Sequence, residues 1–140
     1  MTEIASAEIV NTGSGGQFTI SATSPTDWTG MSISVPAQST PYQVEMFVPV
    51  VQSTTNNSIV YFQLVDGTSA QWGLISCQSL PNSVNQQAET FGPLIYTRRF
   101  PAFTGSTRTY KVRYARSGAD WIAMLDAAGP NAAYIRADTV

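Results

Sequence analysis

The side chains that could perform chemistry are few, and their spacing builds no reacting pair. Histidine is absent, Cys77 is the one cysteine, and the seven cations begin only at Arg98. Histidine is the side chain whose unperturbed pKa falls near neutrality, and it is the commonest metal ligand. A serine nucleophile would have only Lys111 as its base, and Lys111 lies in an alternating pattern that turns it to a polar strand face, solvated or paired. The nine acidic residues could be paired in many ways for glycosidase chemistry, but no motif singles out one pair. Asp66, Asp120 and Asp126 are spaced too irregularly for a calcium loop. Gly13-Ser14-Gly15-Gly16 lacks the Lys-Ser/Thr that completes a phosphate loop. The expectation is a protein with no catalytic residue, no metal and no cofactor.

Binding chemistry has better candidates. Flat rings with polar edges suit sugar faces, and the chain holds three tryptophans and six tyrosines. Trp28, between Asp27 and Thr29 in a loop-like stretch that opens Ser24-Pro25, is the tryptophan expected to be exposed for ligand stacking. The competing reading is that these rings fill a core and subunit interfaces. Arg98-Arg99 could hold an anion, or pair with carboxylates from the acidic first part of the chain. Cys77 alternates with Ile75 and reads as a small buried hydrophobe.

Such residues need a scaffold, and composition describes it. Hydrophobic residues make up 43% of the 140, enough for one folded domain, but charged residues only 11%, against about 25% in an average soluble domain. Ser, Thr, Asn and Gln fill the gap, giving a neutral polar skin. All cations lie in residues 98–140 and six of the nine acids before them, which predicts strands of alternating charge within one sandwich or subunits meeting through complementary faces. The net charge of −2 gives no drive toward nucleic acid. No stretch is long and apolar enough for membrane insertion. The first residues lack the basic leader and apolar run of a secretory signal, so synthesis in a bacterial cytoplasm is expected.

The dominant apolar period is two, the strand period. It marks Phe18–Ala22, Met31–Val35, Tyr42–Val48, Gln71–Cys77, Leu94–Arg98, Thr109–Ala115, Trp121–Leu125 and Tyr134–Ala137. Ser58 to Val65 is apolar on both faces and reads as a central strand, closed by Asp66-Gly67 as a positive-φ turn pair. Eight or nine short antiparallel strands in this length predict an all-β sandwich of jelly-roll type over residues 16–140. Residues 1–15 read as an N-terminal arm with a Gly-rich hinge, because Ile4 and Ile9 fall on opposite faces of a single strand. Ile4, Ile9 and Val10 are then apolar residues for attachment to a neighbouring protein. Tyr110, Val112 and Tyr114 share one face of the clearest strand and are the expected subunit interface.

Ser106-Thr-Arg-Thr-Tyr-Lys-Val-Arg-Tyr-Ala-Arg-Ser-Gly118, then Trp121-Ile-Ala-Met-Leu125, then Ala133-Tyr-Ile-Arg-Ala137 resembles the end of small β-domains in virion proteins of tailed phages, above all those of actinobacteria. Met31-Ser-Ile-Ser-Val35 and Gln43-Val-Glu-Met-Phe-Val-Pro49 are similar to that family's second and third strands. The resemblance implies a trimeric jelly roll and a non-enzymatic virion structural protein, a capsid decoration or minor tail component. Its expected partners are itself as a homotrimer and other virion proteins. The alternative is a carbohydrate-binding tip of a tail fibre that contacts a host surface glycan.

Overall fold

Strict alternation along the chain turns into one buried and one half-buried strand face. The computed structural model describes residues 1–9, 17–55, 57–79, 89–124 and 132–140. In β4 (Tyr42–Val48), Tyr42, Val44, Met46 and Val48 are fully buried, while Gln43, Glu45 and Phe47 between them are half-buried. The same rule builds β6 (Ile59–Asp66), where Val60, Phe62 and Leu64 face the core. The remaining strands are β1 (Glu3–Ile9), β2 (Gln17–Ile20), β3 (Thr26–Val35), β5 (Val51–Ser53), β7 (Gln71–Gln78), β8 (Thr90–Phe91), β9 (Leu94–Phe100), β10 (Arg108–Ser117), β11 (Trp121–Met124) and β12 (Ala133–Thr139).

Every strand pairing is antiparallel. One four-stranded sheet runs β1-β12-β4-β9, and a second runs β3-β10-β6-β7. They face each other with β1 packed on β3 at one side and β7 on β9 at the other. The fold is an all-β jelly-roll sandwich, as the period-two pattern predicts. A third, smaller sheet, β2-β11-β5-β8, covers one end. Its strands continue those of the body: β5 follows β4 after Pro49-Val50, and β9 follows β8 after Gly92-Pro93. At the opposite end, the start of β4 and the end of β9 meet at Tyr42 and Phe100, and the β6–β7 turn lies beside the start of β10. β5 and β8 went unread in the sequence because three and two residues are too few to display a period.

The N-terminal arm is corrected. Residues 3–9 are an edge strand of the sandwich, paired with β12 from Glu3 opposite Asp138 to Ile9 opposite Ala133. The parity objection dissolves in a register shift between Glu3 and Ala5. A bulge adds one residue and flips the facing of everything before it, so Ile4 and Ile9, five residues apart, both pack against the core. They are not free for attachment. Val10 and the Gly13–Gly16 hinge lie outside the described residues.

Two further local expectations change. Trp28 is in β3, not a loop, and only 3% exposed. Opposite β10, the register jumps from Ser32 to Asp27, with Gly30 at φ 89 in the irregularity. The bulge brings Trp28 and Met31, three residues apart, to the same buried face. In the β6–β7 turn, the positive φ falls on Ser69 (φ 67) and not on Gly67.

Deleting residues 2–9 should therefore destabilise the protein. It unpairs β12 along one edge and strips Ile4 and Ile9 from the core, a loss of several kcal/mol. Thermal unfolding followed by circular dichroism should show a fall of about 10 °C. An unchanged midpoint would mean that the strand is dispensable.

Candidate functional site

At the end of the sandwich opposite the small sheet, edge strands β7 and β9 and the start of β10 surround a cleft of about 590 Å³. The β6–β7 turn supplies Asp66, Gly67, Thr68 and Trp72; the end of β9 supplies Arg98, Arg99 and Phe100; Arg108 and Tyr110 close it from β10. Phe100 and Tyr110 line it, backed by Tyr42 and, next to it, Phe103. Tyr42 stacks on Phe100 at 5.5 Å, Phe100 meets Tyr110 at 4.9 Å, and Phe103 packs on Tyr42. The hydroxyls of Tyr42 and Tyr110 share a buried hydrogen bond of 2.6 Å. Burial, and next the Tyr42 hydroxyl, hold the Tyr110 phenol far above its usual range, so it stays protonated.

Trp72 is the ring this end presents to solvent, 37% exposed and fixed on its protein side. Its Nε1 donates to Asp66 Oδ2 at 3.0 Å, and its ring meets Phe100 edge-on at 5.3 Å. The Tyr96 hydroxyl donates to the Trp72 carbonyl oxygen at 2.9 Å. Tyr96 reaches there because Gly73 has no side chain: a Cβ on Gly73 would stand 2.1 Å from the Tyr96 ring. A glycine inside a strand marks such a close approach, and Gly73 was the legible signal for Trp72. Asp66 is equally fixed. Its Oδ1 accepts from Thr68 N at 2.8 Å, Thr68 Oγ1 at 2.6 Å and Ala70 N at 3.1 Å. Burial alone would raise its pKa, but the donors of Thr68, Trp72 and Ala70 together hold it below the ordinary aspartate value.

Two of the three cations of the cleft lie against rings. The Arg98 guanidinium lies 5.7 Å from the Trp72 ring and that of Arg108 lies 4.1 Å from Phe103. Away from the cleft, cations meet carboxylates. Asp27 binds Lys111 at 2.8 Å and Arg113 at 2.6 Å, and those two hydrogen bonds, Lys111's first, lower its pKa. Arg116 pairs with Asp120 at 3.0 Å. Arg136 pairs with Asp138 at 2.8 Å and reaches Glu45 at 3.6 Å. Glu45 also accepts from Thr97 and Tyr134, and burial, followed by Glu45, pushes the Tyr134 phenol up to about 12. The alternating-charge strands expected from the sequence are thus present, and Lys111 is paired.

The predicted site residues are not brought together. Trp28 is buried among Phe18, Phe62 and Tyr114, with ring centroids 5.2, 5.7 and 5.9 Å away, so it cannot stack a ligand. Tyr110 and Val112 are buried inside the chain itself, and Tyr114 packs edge-on against Trp28 and Phe18. Their surface is used by the sandwich and not left for a subunit. Cys77 is buried as expected, which pushes its thiol pKa up.

No protein-family profile and no curated protein sequence matches the chain. Among solved structures it is similar to the Eiger TNF from S. frugiperda, at 10% identity and a TM-score of 0.58, covering 100% of this chain and 94% of that one. A carbohydrate-binding module from Cellvibrio mixtus lichenase 5A, solved in complex with cellotriose, aligns at 16% identity and a TM-score of 0.40 over 99% of each chain. The likeness to the first is one of fold.

Two outcomes follow from the locked Trp72. Gly73→Ala should displace Tyr96 and lower stability by about 1–3 kcal/mol, read as a fall in the urea midpoint. Asp66 has its pKa depressed in the folded state, so its contribution is present above the unfolded value of 3.8 and is lost as pH falls through the folded value. Urea midpoints measured from pH 6 to about pH 2 should therefore decline less steeply below pH 4 in Asp66→Asn than in the natural protein. Parallel acid limbs would contradict this.

Proposed function

We propose that the chain is a non-enzymatic jelly-roll module on the surface of a tailed-phage particle, a decoration or minor tail component whose cleft holds a glycan of the host envelope. The observation that carries the binding half is Trp72: a large ring fixed from behind by Asp66 and Phe100, yet open to solvent at the mouth of a cleft. Preorganised rings of this kind take a flat apolar ligand face with little ordering cost. The resemblance of residues 106–137 to phage virion domains supports the particle. A non-enzymatic role fits a cleft in which Asp66 is the one carboxylate among the described lining residues, with both its oxygens occupied by donors. Most glycoside hydrolases use two carboxyl groups flanking the scissile bond.

Self-association as a homotrimer belongs to the same reading, through a different face from the one the sequence suggested. In the β1-β12-β4-β9 sheet, Tyr134, Phe47 and Ile95 are direct cross-strand partners, forming an apolar row that ends in Ile95 at 54% exposure.

Trp72→Ala should reduce retention on purified host cell-wall polysaccharide by about tenfold, equivalent to about 1.4 kcal/mol, at a temperature where circular dichroism shows the variant still folded. Equal retention would remove the glycan from the reading. Labelled antibody against the chain should bind intact particles, and particles that stay unlabelled would remove the virion. Light scattering should give three times the monomer mass, falling to one with Ile95→Arg; a monomeric natural protein would end the trimer.

A further inference from the structure

The chain has seven cations, all within the described residues, and they divide sharply. Lys111, Arg113, Arg116 and Arg136 each have a carboxylate within 4 Å. Among the described residues Arg98, Arg99 and Arg108 have none, and these three line the same cleft. They come from two strands, β9 and β10, so chain proximity alone does not explain the grouping. The one carboxylate in the cleft does not neutralise them. Asp66 turns both oxygens to its own turn and to Trp72, where they accept four hydrogen bonds. The Trp72 ring holds Arg98, and the Phe103 ring with the Tyr42 and Tyr110 hydroxyls holds Arg108, and neither set of contacts brings a negative charge. Among the described residues, the cations without a carboxylate partner are gathered beside the exposed Trp72.

From this we infer that the cleft is a subsite for an acidic polysaccharide, in which Trp72 stacks a sugar ring while Arg98, Arg99 and Arg108 bind its carboxylate or phosphodiester groups. This rests on the glycan reading above and narrows it to one chemical class. Guanidinium groups suit planar carboxylates and phosphates because they donate two parallel hydrogen bonds. Placed beside the half-exposed Trp72 ring, they select an anion attached to a sugar ring over a free inorganic ion. The net charge of −2 also disfavours non-specific attraction of polyanions to the rest of the surface, leaving the cleft to discriminate.

Calorimetric titration of the full chain at low salt, against four polymers, tests the assignment. The probes are polygalacturonate, its fully methyl-esterified form, poly(glycerol phosphate) and oligo(dT). Binding of polygalacturonate at least about tenfold tighter than its ester, as expected for charge-assisted hydrogen bonds, supports the subsite; comparison with poly(glycerol phosphate) tells whether carboxylate or phosphate is preferred. That preference should vanish in Arg98→Gln/Arg99→Gln and, separately, in Arg108→Gln, with unchanged melting temperatures. It should also weaken as sodium chloride is raised. Equal affinity for the acid and its ester overturns the anion subsite and leaves the glycan reading standing. Failure to bind any of the three non-nucleic polymers overturns both. Tightest binding to oligo(dT) overturns the polysaccharide in favour of nucleic acid, and arginine variants that bind like the natural protein overturn the assignment of residues.

Discussion

Burial of one face of every long strand between two facing sheets is the constraint from which the rest of this structure follows. Tyr42, Val44, Met46 and Val48 from one sheet and Val60, Phe62 and Leu64 from the other are completely withdrawn from solvent. A strand has only two faces, so a slip of one residue would exchange these side chains for Gln43, Glu45 and Gln63. That cost fixes register, and fixed register in turn aligns Asp66 with Tyr110 and Tyr42 with Phe100 at one end of the molecule. The cleft is a product of strand ends brought level by core packing.

Because the inner face must be filled, the chain departs from regular alternation where its apolar residues fall out of step. One register shift falls between Leu64 and Val65 opposite β7; the other two are bulges, one early in β1 and one around Gly30 in β3. The two bulges are the places where reading the sequence as uninterrupted period two led astray. Ile4 and Ile9 were spaced for no single face, which suggested an arm; Trp28 stood out of phase with Met31, Ile33 and Val35, which suggested a loop. Gly30 was the available clue to the second, since glycine inside a strand pattern often marks a bulge. The regular strands were legible throughout, from Phe18 to Ala137, because nothing interrupts their alternation.

The site was less legible than the scaffold, for a physical reason. Arg98-Arg99 was visible as an anion candidate, but Trp72, Asp66 and Arg108 are separated from it by up to 32 positions and are joined only by the meeting of β7, β9 and β10. Alternation says which way a residue points, and not what stands across the gap. It also could not distinguish a face buried by a neighbouring subunit from one buried by the opposite sheet. Tyr110 and Val112 belong to the second kind.

Tyr96 and Gly73 tie together the outermost strands of two different sheets, with the phenol ring occupying the space that any Cβ at position 73 would need. A substitution at either position therefore constrains what the other can be. Alanine at 73 becomes tolerable only in a lineage that has already lost the ring at 96, and a lineage that loses the ring first gives up the hydroxyl that anchors Trp72. The order of substitution is constrained, and sequences on either side of that step should differ at both positions together. A neighbouring exposed residue such as Leu74 carries no comparable restriction.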